Sequence, residues 1–213
     1  MHNAIDPLLV VVLLLNFFML GTSRLRAAIS GSATQGVILG ILTILVHGHL
    51  SLQPILIAAG AIFLKAVVIP FIMLRAMRDA AIRREIEPFI GFIPSLLLGA
   101  IGTGLSLVFA RTLPLAPEHL GSLLIPASLS TVFTGFLLLV TRKKAITQVV
   151  GYLILENGIF IMGLSLVEAM PFMVEAGVLL DLFVGIFVMG IIIEHISREF
   201  SSLDTARLTS LKE

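Results

Sequence analysis

One apolar segment in the second half of the chain decides the class of fold. Residues 145–167 have the sequence AITQVVGYLILENGIFIMGLSLV, in which Glu156 is the single charged side chain. A helix needs about 20 mostly apolar residues to cross a lipid bilayer, and this segment is long enough. It therefore predicts a membrane-spanning helix that carries a carboxylate.

Composition extends this prediction to the whole chain. Of the 213 residues, 58% are hydrophobic and 13% are charged, and the mean hydropathy is +1.11. A soluble domain carries about 25% charged residues, and a disordered chain needs low hydrophobicity, so both classes are excluded. The sequence predicts an all-α polytopic membrane protein with about seven transmembrane helices. The other six segments are residues 7–23, 33–50, 53–74, 88–110, 120–141 and 172–196.

The basic residues predict an orientation. Twelve of the fourteen Lys and Arg residues follow the first, third, fifth and seventh segments, among them the run Arg142–Lys144. Short cytoplasmic loops retain Lys and Arg, so we expect the N-terminus outside and the C-terminus in the cytoplasm. No basic stretch precedes the first segment, which favours a retained helix over a signal peptide. The formal net charge of +1 gives no indication of nucleic-acid binding.

The chain divides into three regions. Residues 1–144 hold five predicted helices and a basic cytoplasmic loop at 75–87, residues 145–198 hold the last two helices, and residues 199–213 form a polar cytoplasmic tail. The mixed charges of the loop are typical of a solvated helical extension. A docking surface for a cytoplasmic partner is the alternative.

Three charged residues lie near the middle of predicted spans. They are Lys65, Glu156 and Asp181. A charge at the bilayer centre costs about 2.5–3.5 kcal/mol or more, so such residues face protein or water and are functional candidates. Lys65 lies ten residues before Arg75, about 15 Å from the cytoplasmic end at 1.5 Å per residue, and Pro70 predicts a bend just after it.

Glu156 lies at a similar depth, so we expect Lys65 to pair with an acid, either this one or one on another subunit. A purely structural ion pair is the alternative to a proton-exchanging group. Asp181 shares its helix face with Gly177 and Gly185, which lets another helix approach the carboxylate.

Secondary candidates accompany these three residues. They are Glu175, Tyr152 and Asn157. Interfacial solvation is the simpler explanation for Glu175, which is near the outer end of its span.

Residue types that are missing from the sequence limit its chemistry. The chain has no Cys, which excludes iron–sulfur clusters, nickel thiolate sites and disulfides from it. It has no phosphate-binding glycine loop and no HExxH motif. We therefore expect no catalytic residue, no metal and no cofactor in this chain.

The acid-bearing helices resemble a known family. Gly151–Gly163, GYLILENGIFIMG, and Pro171–Ile193, PFMVEAGVLLDLFVGIFVMGIII, resemble membrane component E of hydrogenase-4 and formate hydrogenlyase complexes. They are also similar to the last two helices of the K-type subunit of respiratory complex I, which carry a glutamate each. Glu156 matches the first of these glutamates with altered spacing, and Asp181 replaces the second.

The resemblance implies a non-catalytic subunit of an energy-converting complex that contributes Glu156, Asp181 and Lys65 to a proton-translocation path. The implied partners are antiporter-like and other membrane-arm subunits, a nickel–iron hydrogenase and iron–sulfur subunits in a peripheral arm, and the lipid bilayer. The implied location is the cytoplasmic (inner) membrane of a prokaryotic cell. Two alternatives stay open at this point. One is a free-standing secondary transporter or channel, and the other is a structural scaffold subunit.

Overall fold

The computed structural model describes residues 2–47, 52–79, 86, 88–113 and 122–166. In these ranges the protein is mainly helical, and an isolated antiparallel bridge pairs Pro88 with Arg142. The helices of the described ranges are α1 (His2–Gly21), α2 (Leu25–His47), α3 (Leu52–Ile62), α4 (Ile69–Asp79), α5 (Phe92–Thr112), α6 (Leu124–Thr141) and α7 (Ala145–Leu166), with a π-helical segment (Phe63–Val68) between α3 and α4.

Six stretches of these helices are long and apolar enough to cross a membrane. They are Ala4–Gly21, Leu25–Val46, Ala58–Arg75, Phe92–Thr112, Leu124–Thr141 and Ile146–Leu166. They correspond to the first six predicted spans, so the protein is a multi-pass membrane protein. The seventh predicted span, 172–196, lies outside the described residues, and the orientation of the chain stays a prediction.

The second span begins earlier than the sequence predicted. Helix α2 starts at Leu25, whereas the apolar segment was placed at 33–50. Leu25 and Ile29 are fully buried in a core with Met73 of α4, while Arg26 between them points outward. A window of continuous apolar residues excludes Arg26, although a helix can carry it on its exposed side.

The third span is one continuous helix with a change of hydrogen-bonding pattern. The backbone at Ile62 and Ile69, on either side of the π-helical segment, is right-handed helical, and the Ile69 N–H donates to the Leu64 carbonyl five residues back. Pro70 follows directly. The sequence predicts a bend just after Lys65, and the structure has a π-helical segment around Lys65 that ends before the proline; both features are common causes of helix bends. Such segments are rare and are found frequently at functional sites.

Helices α6 and α7 pack most closely among the described elements. A Cβ atom on Gly158 of α7 would lie 2.5 Å from the backbone nitrogen of Val132 on α6. The side chain of any larger residue would push the two backbones apart, so glycine permits this approach. The close pairing fixes α7, with Glu156 on it, in the middle of the helix bundle.

Candidate functional site

A buried ion pair joins the third and sixth spans. The Nζ atom of Lys65 lies 2.8 Å from Oε1 of Glu156, and the two side chains are 4% and 2% exposed. The distance is that of a charge-assisted hydrogen bond. The pair has no net charge when both groups are ionised, which lowers the cost of holding them away from water.

The π-helical segment and a glycine on α2 position the lysine. Lys65 belongs to the π-helical segment, and a Cβ atom on Gly36 of α2 would lie 2.8 Å from the Lys65 Cβ atom. Real Cβ atoms do not approach one another that closely, so the absence of a side chain at Gly36 lets the two helices meet here. The lysine stem therefore starts against α2 and ends at α7.

An aromatic ring completes the surroundings of the ammonium group. The Lys65 Nζ atom lies 5.3 Å from the centroid of the Phe160 ring. Phe160 is four residues after Glu156 on α7, so both side chains occupy the same face of that helix. A cation within about 6 Å of an aromatic face is attracted to it electrostatically. The ammonium group thus has both an ionic and an aromatic partner on one helix.

Hydrogen bonds extend from the ion pair across the bundle. Lys65 Nζ also donates to Asn157 Oδ1 at 3.2 Å, and Asn157 Nδ2 donates to Gln35 Oε1 at 3.2 Å. Gln35 Nε2 donates to Asn16 Oδ1 at 2.8 Å, and Asn16 Nδ2 donates to Thr131 Oγ1 at 2.9 Å. All five residues are buried. We name the chain of Lys65, Asn157, Gln35, Asn16 and Thr131 the polar chain.

The second oxygen of the glutamate differs from the first. Oε2 of Glu156 is buried and has no hydrogen-bond partner among the described residues. Buried polar atoms are nearly always hydrogen-bonded, so an exception calls for a functional or solvent explanation. One carboxylate oxygen is held by Lys65 and the other is open to accept a proton or a water molecule.

The predicted site residues fall into two groups. The structure brings Lys65, Glu156 and Asn157 together, and Tyr152 lies partly buried one turn before Glu156 on α7. Asp181 and Glu175 lie outside the described residues, and the roles assigned to all six stay predictions. In the described ranges, no group of three or more His, Cys, Asp or Glu side chains could hold a metal ion.

Sequence reasoning missed three of the four uncharged members of the polar chain. Asn16, Gln35 and Thr131 lie in three different predicted spans and carry no charge. A sequence search for charged residues inside apolar segments passes over amides, although an amide buried in a membrane helix also needs a partner. A search for Asn and Gln in the spans would have found two of the three.

The basic turn after α6 also differs from expectation. Arg142 belongs to the basic run that the sequence assigns to the cytoplasmic side, and its side chain is fully buried. Its Nη2 donates to the Leu20 carbonyl near the end of α1 at 2.8 Å, and its guanidinium lies 5.2 Å from the centroid of the Phe92 ring. Burial lowers the pKa of this guanidinium below its usual range, although arginine stays charged in proteins. A cation near the C-terminal carbonyls of a helix is stabilising, so Arg142 ties α1 to α5 and α6.

Comparison with known proteins identifies full-length relatives. The chain is 32% identical over 195 residues to the uncharacterized protein Rv0085 of Mycobacterium tuberculosis, covering 89% of this chain and 87% of the relative. It is 25% identical over 205 residues to hydrogenase-4 component E of Escherichia coli K12, covering 95% and 94% of the two chains. No protein-family model and no solved structure matches the chain.

Proposed function

This chain belongs to the same protein family as the uncharacterized protein Rv0085, and on that premise we propose that it is a non-catalytic membrane subunit of a hydrogenase-4-type complex. The full-length similarity to hydrogenase-4 component E supports the type of complex. The six apolar helices support a place in its membrane part. Hydrogen and electron chemistry then belongs to partner chains, because this chain has no Cys to bind an iron–sulfur cluster or a nickel–iron centre.

We propose further that the subunit contributes to proton translocation in a formate hydrogenlyase-like, energy-converting assembly. The observation that carries this proposal is the buried pair of Lys65 and Glu156 at 2.8 Å, with the Glu156 Oε2 atom unpartnered among the described residues. Ionisable residues inside membrane helices are expensive, and they mark proton and ion pathways. Asp181 is proposed as the next carboxylate of the path on the predicted seventh span.

The mechanism follows from the charges of the pair. A proton that arrives at Oε2 of Glu156 neutralises the carboxylate and leaves the Lys65 ammonium without its counter-ion. That state is unfavourable in a low-dielectric interior, so the proton is passed on or the ammonium releases its own. A change in electric field, caused by redox chemistry in a partner subunit, would favour or oppose this proton transfer. The pair would thus alternate between an ionised and a proton-loaded form.

The proposed partners are antiporter-like membrane subunits, other membrane-arm subunits, a nickel–iron hydrogenase and its iron–sulfur subunits, all in a prokaryotic inner membrane. Purification of the tagged full chain from its native membrane in a mild detergent tests this. We expect large membrane and metal-containing partners to co-purify in fixed ratio. Recovery of the chain alone or as a homo-oligomer would contradict the proposal and favour a free-standing transporter or channel.

Variants of the two carboxylates test the proposed path. Glu156→Gln and Asp181→Asn each remove a titratable proton while preserving size. Hydrogen-linked turnover and proton uptake are measured in the assembled complex, and we expect uptake to fall in both variants. Asp6→Asn is the matched control, because Asp6 lies at the start of α1, where Oδ1 accepts the Leu123 N–H at 3.2 Å and the amide can do the same. Normal coupling in both path variants would reduce the role of the subunit to structure.

A further inference from the structure

All four hydrogen bonds of the polar chain point the same way, because each is donated by the residue nearer Lys65. At its far end the Thr131 hydroxyl donates to the Ala127 carbonyl at 2.7 Å. A hydroxyl has one hydrogen, so once it is donated the oxygen can only accept. The neighbouring Asn16 must therefore present its NH₂ group to Thr131, as it does at 2.9 Å. The orientation of the first amide is thus determined by a hydroxyl on α6.

The orientation of Asn16 determines the orientation of the next two amides. With its NH₂ group toward Thr131, Asn16 offers its carbonyl to the Gln35 NH₂ group. Gln35 then offers its carbonyl to the Asn157 NH₂ group. A weaker contact of Gln35 Nε2 with the Val12 carbonyl at 3.5 Å favours the same orientation. Asn157 is left with its carbonyl oxygen facing Lys65, at 3.2 Å.

Burial of the polar chain keeps its side-chain amides in this orientation. Thr131 and Gln35 are fully buried, and Asn16 and Asn157 are each 2% exposed. An amide that turned over would place NH₂ against NH₂ and carbonyl against carbonyl, with no solvent to satisfy the mismatched groups. The direction of the chain is therefore maintained along its whole length.

We propose that Thr131, Asn16 and Gln35 are positioning residues that present the Asn157 carbonyl to the Lys65 ammonium. The side-chain amides of Asn16, Gln35 and Asn157 point their carbonyl ends toward the lysine, so their dipoles add and stabilise its positive charge. The ammonium is then held in place between Asn157 and Oε1 of Glu156. The exchangeable proton is left to Oε2 of Glu156, which has no hydrogen-bond partner in the described part of the chain. The inference rests on the proposed proton path for its functional meaning, but the orientation itself is measured at the lysine.

Nitrogen NMR of the full chain in lipid tests the orientation. The chain has four Lys residues, so a sample with ¹⁵N at the lysine Nζ atoms gives four signals, and Lys65→Met assigns that of Lys65. Thr131→Val replaces the hydroxyl by a methyl group of nearly the same size. We expect Thr131→Val to change the ¹⁵N chemical shift of the Lys65 Nζ atom by more than a linewidth. Thr131→Ser, which keeps the hydroxyl, restores the wild-type position.

Thr134→Val is the matched control for this experiment. Thr134 is also on α6, is 2% exposed and has no part in the polar chain. A Lys65 signal that stays in place in Thr131→Val, or moves equally in Thr134→Val, would overturn the inference. If Thr131→Val does not fold, Asn16→Leu breaks the next link and must give the same displacement.

Proton uptake by the assembled complex separates this inference from the proposed function. If both hold, Thr131→Val displaces the Lys65 signal and lowers uptake about two- to tenfold, the effect of one hydrogen bond between neutral groups. A displaced signal with normal uptake in Glu156→Gln would support the positioning role and contradict the proton path. A Lys65 signal that does not move in Thr131→Val, together with loss of uptake in Glu156→Gln, would support the proton path and contradict the positioning role.

Discussion

Removing the lysine of the buried ion pair gives the sharpest stability prediction. Lys65→Met keeps the length of the side chain and leaves Glu156 buried without its counter-ion. At the Nζ–Oε1 distance of 2.8 Å, an effective dielectric constant of 20 gives an attraction of about 6 kcal/mol. The desolvation cost of the two ions offsets part of it. Breaking a buried pair by removing one partner costs about 3–5 kcal/mol, and we expect this loss in the free energy of unfolding.

A double-mutant cycle isolates the pair from its surroundings. Glu156→Leu alone should also cost about 3–5 kcal/mol, because it leaves the ammonium uncompensated. The double variant Lys65→Met/Glu156→Leu removes both charges. We expect it to be within about 1–3 kcal/mol of the wild type, the remaining cost being the Asn157 carbonyl that loses its donor. The measurement is denaturant-induced unfolding of the purified chain in mixed micelles, followed by circular dichroism.

Lys143→Met is the control for this cycle. Lys143 is exposed, and its Nζ atom lies 5.2 Å from the centroid of the Phe89 ring. Its replacement should change the free energy of unfolding by no more than about 0.5 kcal/mol. Additive losses in the double variant, or single variants as stable as the control, would refute the claim that the two charges stabilise each other.

Two further changes test the packing around the site. Gly158→Ala should lower the free energy of unfolding by about 1–3 kcal/mol through overpacking against Val132. Gly104→Ala is the control, because its Cβ would meet nothing within 4 Å, and it should be neutral or stabilising by up to about 1 kcal/mol. Equal effects of the two variants in thermal unfolding would refute the close approach of α7 to α6 at Gly158. Arg142→Met should cost about 1–3 kcal/mol because the Leu20 carbonyl loses a buried donor, and protection of α1 amides against hydrogen exchange should fall. Unchanged protection would contradict the role of Arg142 at the end of α1.

Much of the fold could be predicted because the lipid bilayer imposes a simple rule. Six membrane-spanning stretches of the described ranges coincide with predicted apolar segments, since a span must be long and apolar whatever it packs against. The start of α2 was misplaced, because Arg26 is tolerated on an exposed helix side near the membrane surface. The burial of Arg142 also escaped prediction, since a run of basic residues is the usual sign of a solvated loop.

The candidate site could be predicted only in part. The cost of a charge in lipid singles out Lys65 and Glu156, and their similar depth made a pair plausible. The π-helical segment and the close approach at Gly36 depend on packing between helices, which the period of one helix does not encode. The connection of Asn157 to Gln35, Asn16 and Thr131 was missed for the same reason, since the partners of a buried amide lie on other helices.

The number of protons translocated per hydrogen molecule turned over tests the central claim most directly. The intact complex containing Glu156→Gln is reconstituted in sealed vesicles, beside complexes with the wild-type chain and with Asp6→Asn. The account predicts that Glu156→Gln lowers this ratio while Asp6→Asn leaves it unchanged. An assembled, turning-over Glu156→Gln complex with the wild-type ratio would contradict the claim that this buried carboxylate belongs to the proton path.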